Sequence, residues 1–486
     1  MSKMGRIAPK ASDGQDVYTS PLVARSASPE MSALFSMRHR ALTWRRIWLA
    51  LAESQRELGL KISAKQISAL RAGLNRIDLA AASAYEKKLR HDVMAHLHAF
   101  GDVAPAARGI LHLGATSMDI VDNADLLIMR DALDMIRGRL LAVIDALAAQ
   151  AKRHRSLPCL GFTHYQPAQL TTVGKRISLW CWDFVRDLEA VHRLVSDLRF
   201  RGIRGATGTQ ASFLSLLGSE KKVRRLEELV AQKLGFKQIE PVTGQTYSRK
   251  VDAQVISAIA IIASGVHKFA NDMRLLANLK EMEEPFEKNQ VGSSAMAYKR
   301  NPMLSERATG LARFVISLAQ SGFQNAAEQW LERTLDDSSN KRLLIPESFL
   351  AADGMLQIVA HIAAGLVVYP KVMRSRIEAE LPFIATEEIL MAASSAGGDR
   401  QALHERIRVH SGAAAARVKR DGMSNDLLDR LRADQLFDRV KFAAVMDPSR
   451  FVGLAPQQVD DFLKTVIAPL RKRFTGVRRP RAVISV

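Results

Sequence analysis

Cysteine and long apolar runs are both scarce in this chain of 486 residues, and each scarcity excludes a class of protein. The two cysteines, Cys159 and Cys181, are too few for the disulfide framework of a small secreted protein, so we expect a reducing compartment and a cytoplasmic location. The least polar run, 253–266, has fourteen residues without a charge, whereas about 20 are needed to span a bilayer. We therefore expect a buried helix there and no membrane segment.

Acidic residues are also in short supply, and the deficit is uneven along the chain. Lys and Arg number 70 against 50 Asp and Glu, which gives a formal charge of +20. Nucleic-acid binding, an anionic small substrate and a generic surface trait all fit this charge. No acid follows Asp461, while residues 471–486 carry six cations and one aromatic, Phe474. Because stacking aromatics are missing, we expect this basic tail to be solvated or to bind a polyanion weakly.

The signatures of several enzyme classes are absent as well. The sequence has no GxxxxGK[ST], no GxGxxG after a strand, no HExxH and no GxSxG. His91, His96 and His98 are spaced by five and two residues, which does not align them on one helical face, so we expect no metal site. No secretory signal is visible. Residues 1–20 mix both charges and are predicted to be a disordered tail, with a mitochondrial presequence as the alternative.

Helical periodicity runs through almost every long segment that is present. Apolar residues recur every three or four positions in 119–153, 169–198, 247–280 and 303–321. Periodic helices of more than 25 residues are typical of long bundles and oligomeric assemblies, and clear alternating strands are scarce, so we predict an all-α fold. The predicted segments are a tail (1–20), an amino-terminal helical domain (21–116), a central bundle (117–368), a carboxyl-terminal helical domain (369–470) and the basic tail (471–486).

Polar and charged residues are concentrated in the loops between these helices. The densest loop is 292–302, in which Ser293, Ser294, Lys299 and Arg300 precede a helix start at Pro302. A flexible hydroxyl-rich loop beside fixed cations suits closure over an anionic substrate. The cations in or beside such loops are Arg25, Arg90, Lys299, Arg307, Arg333 and Arg342. His164 lies in the polar turn 161–167, where a role in proton transfer competes with a structural one.

Three of these segments, in order, carry a family resemblance. Thr116-Ser117 with Asp122-Asn123, then 161–169, then 292–302 resemble the three signature segments of the fumarase/aspartase superfamily. Within it, the string 298–302 looks like the animal-type adenylosuccinate lyase branch. Further segments similar to that branch are 199–202, 243–250 and 332–338. The similarity runs from about Pro21 to Leu470.

The resemblance implies a three-domain fold and a homotetramer whose long helices form the core, with active sites shared between subunits. It implies a small anionic substrate and no cofactor. The implied reactions are β-eliminations that release fumarate from adenylosuccinate, giving AMP, and from succinylaminoimidazole carboxamide ribotide.

The resemblance also implies roles for individual residues. Ser293 would be the base, His164 the acid, and Glu306 a supporting acid that orients the site. Lys299 and Asn301 would hold the succinyl carboxylates and spread the charge of the carbanion. The implied substrate contacts are Arg25, Ser26, Arg90, His91, Asp92, Thr116, Ser117, Gln245, Lys299, Asn301, Arg307, Arg333, Ser338 and Arg342.

Two positions depart from the family pattern. Ala297 stands where proline is usual, which loosens the backbone of the loop. Ser26 follows Arg25 where tyrosine is usual, so a shorter side chain without a ring stands at an implied phosphate contact.

Two alternatives come from other functional classes. One is another lyase of the superfamily, such as argininosuccinate lyase, against which the string 298–302 argues. The other is a polyanion-binding protein on a lyase scaffold, which the charge and the basic tail favour. We expect no nucleic-acid partner, except through that tail.

Overall fold

A long helical bundle forms the centre of the protein, for which a computed structural model describes residues 18–484. The predicted disordered tail falls mostly on residues 1–17, which lie outside the described residues. Helices make up 69% of the structure, so the all-α prediction is confirmed. The division into domains stays a prediction.

The helices of the first segment are α1 (Pro21–Arg25), α2 (Pro29–Leu34), α3 (Met37–Glu57), α4 (Ala64–Gly73), α5 (Leu79–Leu89) and α6 (Asp92–Val103), followed by a 3-10 turn (Pro105–Ile110). The central helices are α7 (Ser117–Arg153), α8 (Val173–Asp197), α9 (Ala211–Leu217), α10 (Glu220–Lys233), α11 (Lys250–Asn278), α12 (Met303–Ala327) and α13 (Asp336–Ala364).

The remaining helices are α14 (Pro370–Ile384), α15 (Thr386–Ser395), α16 (Arg400–Asp421), α17 (Leu427–Arg432), α18 (Phe442–Val445), α19 (Ala455–Phe462) and α20 (Ala468–Arg473). Two 3-10 turns (Gln435–Phe437 and Pro448–Phe451) and a π-helical turn (Leu463–Ile467) lie among them. The strands are β1 (Pro158–Thr163), β2 (Gln166–Thr172), β3 (Met282–Glu283) and β4 (Val367–Val368), paired antiparallel as β1–β2 and β3–β4.

Five long helices, α7, α8, α11, α12 and α13, pack against one another as the bundle. The predicted periodic positions form its core: Leu133, Ile136 and Leu140 of α7 are fully buried, as are Ile259 and Val266 of α11. Helices α11 and α13 are long and apolar enough to cross a membrane by length and composition alone. Their most apolar windows are 61% and 83% buried inside the protein, as the prediction of a buried helix at 253–266 requires.

The predicted helix at 169–198 begins later than the periodicity indicated. Residues 166–172 form β2, and α8 begins only at Val173. The strand pairs with β1 because Leu160 and Leu170 face the same second core, beneath the carboxyl-terminal helices α14–α18. A hairpin therefore replaces the first turn of the predicted helix.

The basic tail lies against the bundle, while its cations at 471–473, 478 and 481 remain exposed to solvent. Asp145 of α7 accepts from both Arg471 and Arg479 at 2.6 Å, and Arg473 donates to Glu189 of α8 at 2.8 Å. Phe474 is buried, and Ile484 packs partly buried against the main core. The local sequence does not indicate these ion pairs, because no acid follows Asp461 and the acidic partners come from α7 and α8.

Candidate active site

A cavity of about 880 Å³ lies where α5, α6, α7 and α13 meet. Nine of the predicted substrate contacts line it: Arg90, His91, Asp92, Thr116, Ser117, Gln245, Arg333, Ser338 and Arg342. They come from four separate stretches of sequence. The structure therefore brings most of the predicted contacts to one place.

The turn between α5 and α6 points three of these residues at the cavity. Arg90 ends α5 in a left-handed conformation (φ 54°), which reverses the chain within one residue. His91 then caps α6, with its Nδ1 accepting from the N–H of Met94 at 3.4 Å. His91 Nε2 lies 3.3 Å from Ser117 Oγ, at the start of α7. Arg342 donates to Asp92 at 2.9 Å and joins this turn to α13.

Part of the cavity wall is a cluster of buried charges, of which only Arg333 was predicted from the sequence as a substrate contact. Arg249 binds Asp122 at 3.1 Å and Asp337 at 2.6 Å, and Arg333 donates to Asp337 at 3.0 Å. Burial alone would raise the pKa of Asp122, but Arg249, Lys341 and Arg201 hold the pKa of its carboxyl below the usual value. Asp122 therefore stays ionised and fixes Arg249, which in turn positions the start of α13.

Lys341 is the second cation of this cluster. Its ammonium lies 3.2 Å from Asp125, 3.4 Å from Asp252 and 3.9 Å from Asp122. Burial raises the pKa of Asp252, and Lys341 opposes that rise. One feature of the sequence could have indicated this cluster: its charged residues occupy positions where the helical periodicity predicts buried apolar side chains.

Arg201 ties two loops, 202–210 and 243–247, to the bundle. It is fully buried, pairs with Asp119 of α7 and donates to the carbonyl of Gln245. The carboxylate of Asp119 also accepts from the N–H of Thr116 at 2.8 Å and of Arg204 at 2.7 Å. One ion pair thus holds the backbones of Thr116 and Gln245, both of which line the cavity.

A second group of predicted contacts lies apart from the cavity lining. Arg307, in the first turns of α12, donates to Ser26 Oγ at 3.4 Å. Burial and the neighbouring charge of Arg25 lower the pKa of Arg307. Two guanidinium groups and a hydroxyl at one place can bind an anion, which would also relieve the repulsion between the two cations. We call Arg25, Ser26 and Arg307 the anion cluster.

The loop before α12 carries the predicted base. Ser293 Oγ accepts from the N–H of Met296 at 3.2 Å and of Ala295 at 3.4 Å. Both donors would stabilise negative charge on this oxygen. Ser294 and Lys299 are exposed beside it.

The two ends of this loop are fastened while its middle is exposed. Asn301 donates to the carbonyl of Gly292 at 2.9 Å. A Cβ on Gly292 would lie 2.2 Å from the carbonyl oxygen of Lys299, so only glycine fits there. Glu284 accepts from the N–H groups of Leu304 and Ser305, each at 2.9 Å, and caps α12. Glu306 lies exposed in the first turn of that helix.

His164 lies at the tip of the β1–β2 hairpin. His164 and Tyr165 have φ of 53° and 58°, the two left-handed residues of a tight hairpin turn. The turn leaves His164 exposed, while Leu160 and Leu170 anchor the strands. Arg176 of α8 donates to the carbonyl of Leu160 at 2.5 Å and holds the hairpin base.

Within residues 18–484 the predicted site residues thus fall into four places. The cavity holds nine of them, and its lining includes neither Ser293 nor His164. The anion cluster and the serine loop share one end of α12, because Arg307 follows that loop directly in the chain. The hairpin carries His164 alone.

Comparison with known proteins agrees with the helical architecture. A lyase family model matches residues 43–317, and a model described as the adenylosuccinate lyase C-terminus matches 382–462. Among solved structures, a fumarate lyase from Mesorhizobium is similar with a TM-score of 0.77 and 25% identity, over 92% of this chain and 99% of that one. A 3-carboxy-cis,cis-muconate lactonizing enzyme from Pseudomonas putida shares the fold with a TM-score of 0.78 and 24% identity, over 93% and 99% of the two chains.

Curated relatives are similar over nearly the whole chain. Adenylosuccinate lyase from Saccharomyces cerevisiae is 52% identical over 92% of this chain and 94% of its own length. The enzyme of the same name from Schizosaccharomyces pombe is 48% identical over 96% and 99% of the two chains, and that from Schistosoma mansoni 46% over 94% and 96%. The chain therefore belongs to the adenylosuccinate lyase family of carbon–nitrogen lyases, within the fumarase/aspartase fold.

Proposed function

We propose that the protein eliminates fumarate from adenylosuccinate, giving AMP, and from succinylaminoimidazole carboxamide ribotide. The observation that supports this proposal is that the cavity, the anion cluster, the serine loop and the hairpin together contain the side chains that this reaction needs. The cavity and the anion cluster offer cations to a substrate with two carboxylates and a phosphate, while the serine loop and the hairpin offer a base and an acid.

In this mechanism Ser293 removes the proton next to a succinyl carboxylate. A serine hydroxyl is a poor base, and the N–H groups of Ala295 and Met296 support it by stabilising the alkoxide. Lys299 and Asn301 bind the carboxylate that takes up the charge of the carbanion. His164 protonates the departing nitrogen. Each positioned acid or base contributes about 10²–10⁴ in rate.

We further propose that the active site forms between subunits of a homotetramer. In one chain Ser293 and His164 belong to separate elements, neither of which lines the cavity. Large apolar side chains remain exposed on the bundle, including Leu179, Ile261 and Phe323. Association of bundles would cover them and bring loops of different chains together.

A purified-protein assay tests the proposed reaction. Adenylosuccinate should disappear while AMP and fumarate appear in equal amounts, as followed by chromatography. A protein inert toward both succinylated purines would overturn the proposal. A panel containing argininosuccinate distinguishes the other superfamily lyases.

The alternative of a polyanion-binding protein has less support. Three of the six cations in the basic tail, Arg471, Arg473 and Arg479, pair with acids of the bundle. Nucleic-acid binding at low salt that disappears when residues 471–486 are removed would favour it instead.

We also propose a cytoplasmic location. Cys159 and Cys181 are free thiols buried in the core, and burial raises the pKa of Cys159 to about 11. Such thiols are unreactive and form no cross-link, which suits a reducing compartment. Fractionation of cells expressing the protein would test it.

A further inference from the structure

The last described segment of the chain lies on the bundle and does not line the cavity, and we call residues 478–484 the carboxyl-terminal strap. Arg479 fastens it to Asp145 of α7 at 2.6 Å. The strap lies directly on α7, since a Cβ on Gly138 would be 2.6 Å from the carbonyl oxygen of Arg478. Ala482 and Ile484 pack against the core.

Two buried side chains receive the strap. Arg139, 4% exposed, donates to the carbonyl of Arg481 at 3.1 Å. Gln357, 2% exposed, accepts from the N–H of Val483 through its Oε1 at 3.4 Å. A polar group buried this deeply destabilises the fold when it loses a hydrogen-bond partner. The strap therefore stabilises the buried positions of Arg139 and Gln357.

The same two side chains hold the turn that carries Ser26. Arg139 binds Asp353 at 2.7 Å, and the other oxygen of Asp353 accepts from the N–H of Ser28 at 2.6 Å. Gln357 donates to the carbonyl of Ser26 at 3.3 Å and to Asp353 at 3.2 Å. The turn also touches α13 closely, because a Cβ on Gly354 would lie 2.9 Å from the side chain of Ser26.

A continuous set of contacts therefore joins the strap to the anion cluster. It runs from Arg481 and Val483 through Arg139, Asp353 and Gln357 to the backbone on both sides of Ala27. Ser26 in turn accepts from Arg307. We propose that Arg139 and Gln357 are positioning residues, through which the strap sets the affinity of the anion cluster for the phosphate of the substrate.

The identity of the ligand rests on the proposed function, whereas the coupling rests on the geometry. When the strap leaves, Arg139 and Gln357 each lose one partner and are exposed to water. The Ser26–Ser28 turn is then held less firmly, and the cluster must be ordered by the ligand when it binds. Because this cost falls on binding, it should appear in the affinity and not in the chemical step.

The test uses three variants of the full protein and two probes. Truncation after Val477 removes the strap, and Gln357→Met removes the amide while keeping the length of the side chain. Arg478→Gln is the control, since Arg478 is 82% exposed and removing its charge spares both receiving side chains. AMP binding is measured by calorimetry, with adenosine as the phosphate-free probe. The kinetic constants kcat and KM are measured with adenylosuccinate.

We expect truncation and Gln357→Met to weaken AMP binding and raise KM by about five- to tenfold, with kcat within about twofold and adenosine binding unchanged. Arg478→Gln should match the wild type. If truncation prevents folding, Val483→Pro takes its place, because it removes the strap N–H that Gln357 accepts and leaves the contacts of Gln357 with the Ser26 turn in place.

An AMP affinity within twofold of the wild type in Gln357→Met would overturn the coupling, and so would equal weakening of AMP and adenosine. A wild-type protein without lyase activity would instead overturn the proposed function. AMP binding would still report on the strap in that case.

Discussion

The N–H of Met296 donates to Ser293 Oγ at 3.2 Å, so the predicted base is already held as an acceptor within its own loop. The N–H of Ala295 approaches the same oxygen at 3.4 Å. Hydrogen bonds of this kind favour the ionised form of an acceptor. The neighbouring Ser294 is exposed, and no such pair of donors reaches its hydroxyl within residues 18–484.

This geometry distinguishes the two serines. We expect Ser293→Ala to lower kcat by about 10²–10⁴, while Ser294→Ala stays within about tenfold of the wild type because its hydroxyl lies outside this arrangement. Circular dichroism and gel filtration would show that both variants fold. Equal losses in the two variants would contradict the assignment of Ser293 as the base.

The second prediction concerns Ala297, where the family pattern has proline. The N–H of Lys299 donates to the carbonyl of Met296 at 3.0 Å, which closes a turn with Ala297 at its second position. Proline is favoured at that position, since its fixed φ suits the turn. We expect Ala297→Pro to stabilise the loop by about 0.4–1 kcal/mol and to leave kcat equal or higher.

Steady-state kinetics and limited proteolysis of the loop would check this. Ala295→Pro is the matched control, because the N–H of Ala295 donates to Ser293 and proline would remove it. A large loss of activity in Ala297→Pro would show that the closed loop adopts another turn.

Asp187 of α8 gives the stability a pH dependence. It is 6% exposed, and within the described residues its Oδ2 has no hydrogen-bond partner. Burial, with a further contribution from Asp183, raises the pKa of Asp187 to about 7. Because the folded pKa exceeds the unfolded value of 3.8, the protonated form stabilises the fold, and this stability is lost as the pH rises through about 7.

We therefore expect the stability of Asp187→Asn relative to the wild type to increase by about 2–3 kcal/mol from pH 5 to pH 8, because the wild type loses the stability of its protonated form over that range. Urea denaturation at the two pH values measures the difference. Asp183→Asn is the control, and it should shift the wild-type transition to lower pH without abolishing it. A wild-type stability that is flat between pH 5 and pH 8 would refute the prediction.

The bundle could be predicted from the sequence because the buried face of each helix appears there as regularly spaced apolar residues. Leu133, Ile136 and Leu140 recur at helical spacing and are all buried on one face of α7. Nine of the substrate contacts that the resemblance implied line one cavity, while their roles stay a prediction. Other features depend on contacts between distant residues, which local patterns do not encode. Asp145 meets Arg479 across the fold, and the β1–β2 hairpin depends on a second core under α14–α18.

Lys341 illustrates the same limit inside the core. It occupies a buried position of α13, and its three acidic partners come from α7 and α11. Replacing Lys341 by methionine removes the cation that these three carboxylates share, so their buried negative charge is no longer compensated. We expect Lys341→Met to lower the free energy of unfolding by about 3–5 kcal/mol at pH 8, which is typical when one partner of a buried ionic cluster is removed.

The loss should shrink at pH 5.5, because burial already raises the pKa of Asp252 and removal of Lys341 raises it further. A protonated Asp252 needs no cation. The neighbouring exposed Arg342, changed to methionine, controls for loss of charge on α13 and should change the free energy of unfolding by less than about 1 kcal/mol. Denaturant titration at both pH values decides, and equal losses in the two variants would contradict the account.

The last prediction tests whether subunits share the active site. Ser293→Ala and His164→Gln should each be inactive alone. If each site takes its serine and its histidine from different chains, some sites in mixed oligomers receive both intact residues. After joint dissociation and reassociation of equal amounts, we expect about a quarter of the wild-type activity, because each residue is intact in half of the chains.

The matched control mixes Ser293→Ala with Lys299→Met. Both residues lie on the loop before α12 and enter a site from the same chain, so no mixture can assemble a loop with both intact. This pair should recover no activity, and each variant reassociated alone should remain inactive. Recovery in the control would mean that mixing restores activity by another route. No recovery in the first mixture despite confirmed subunit exchange would mean that Ser293 and His164 do not meet between chains.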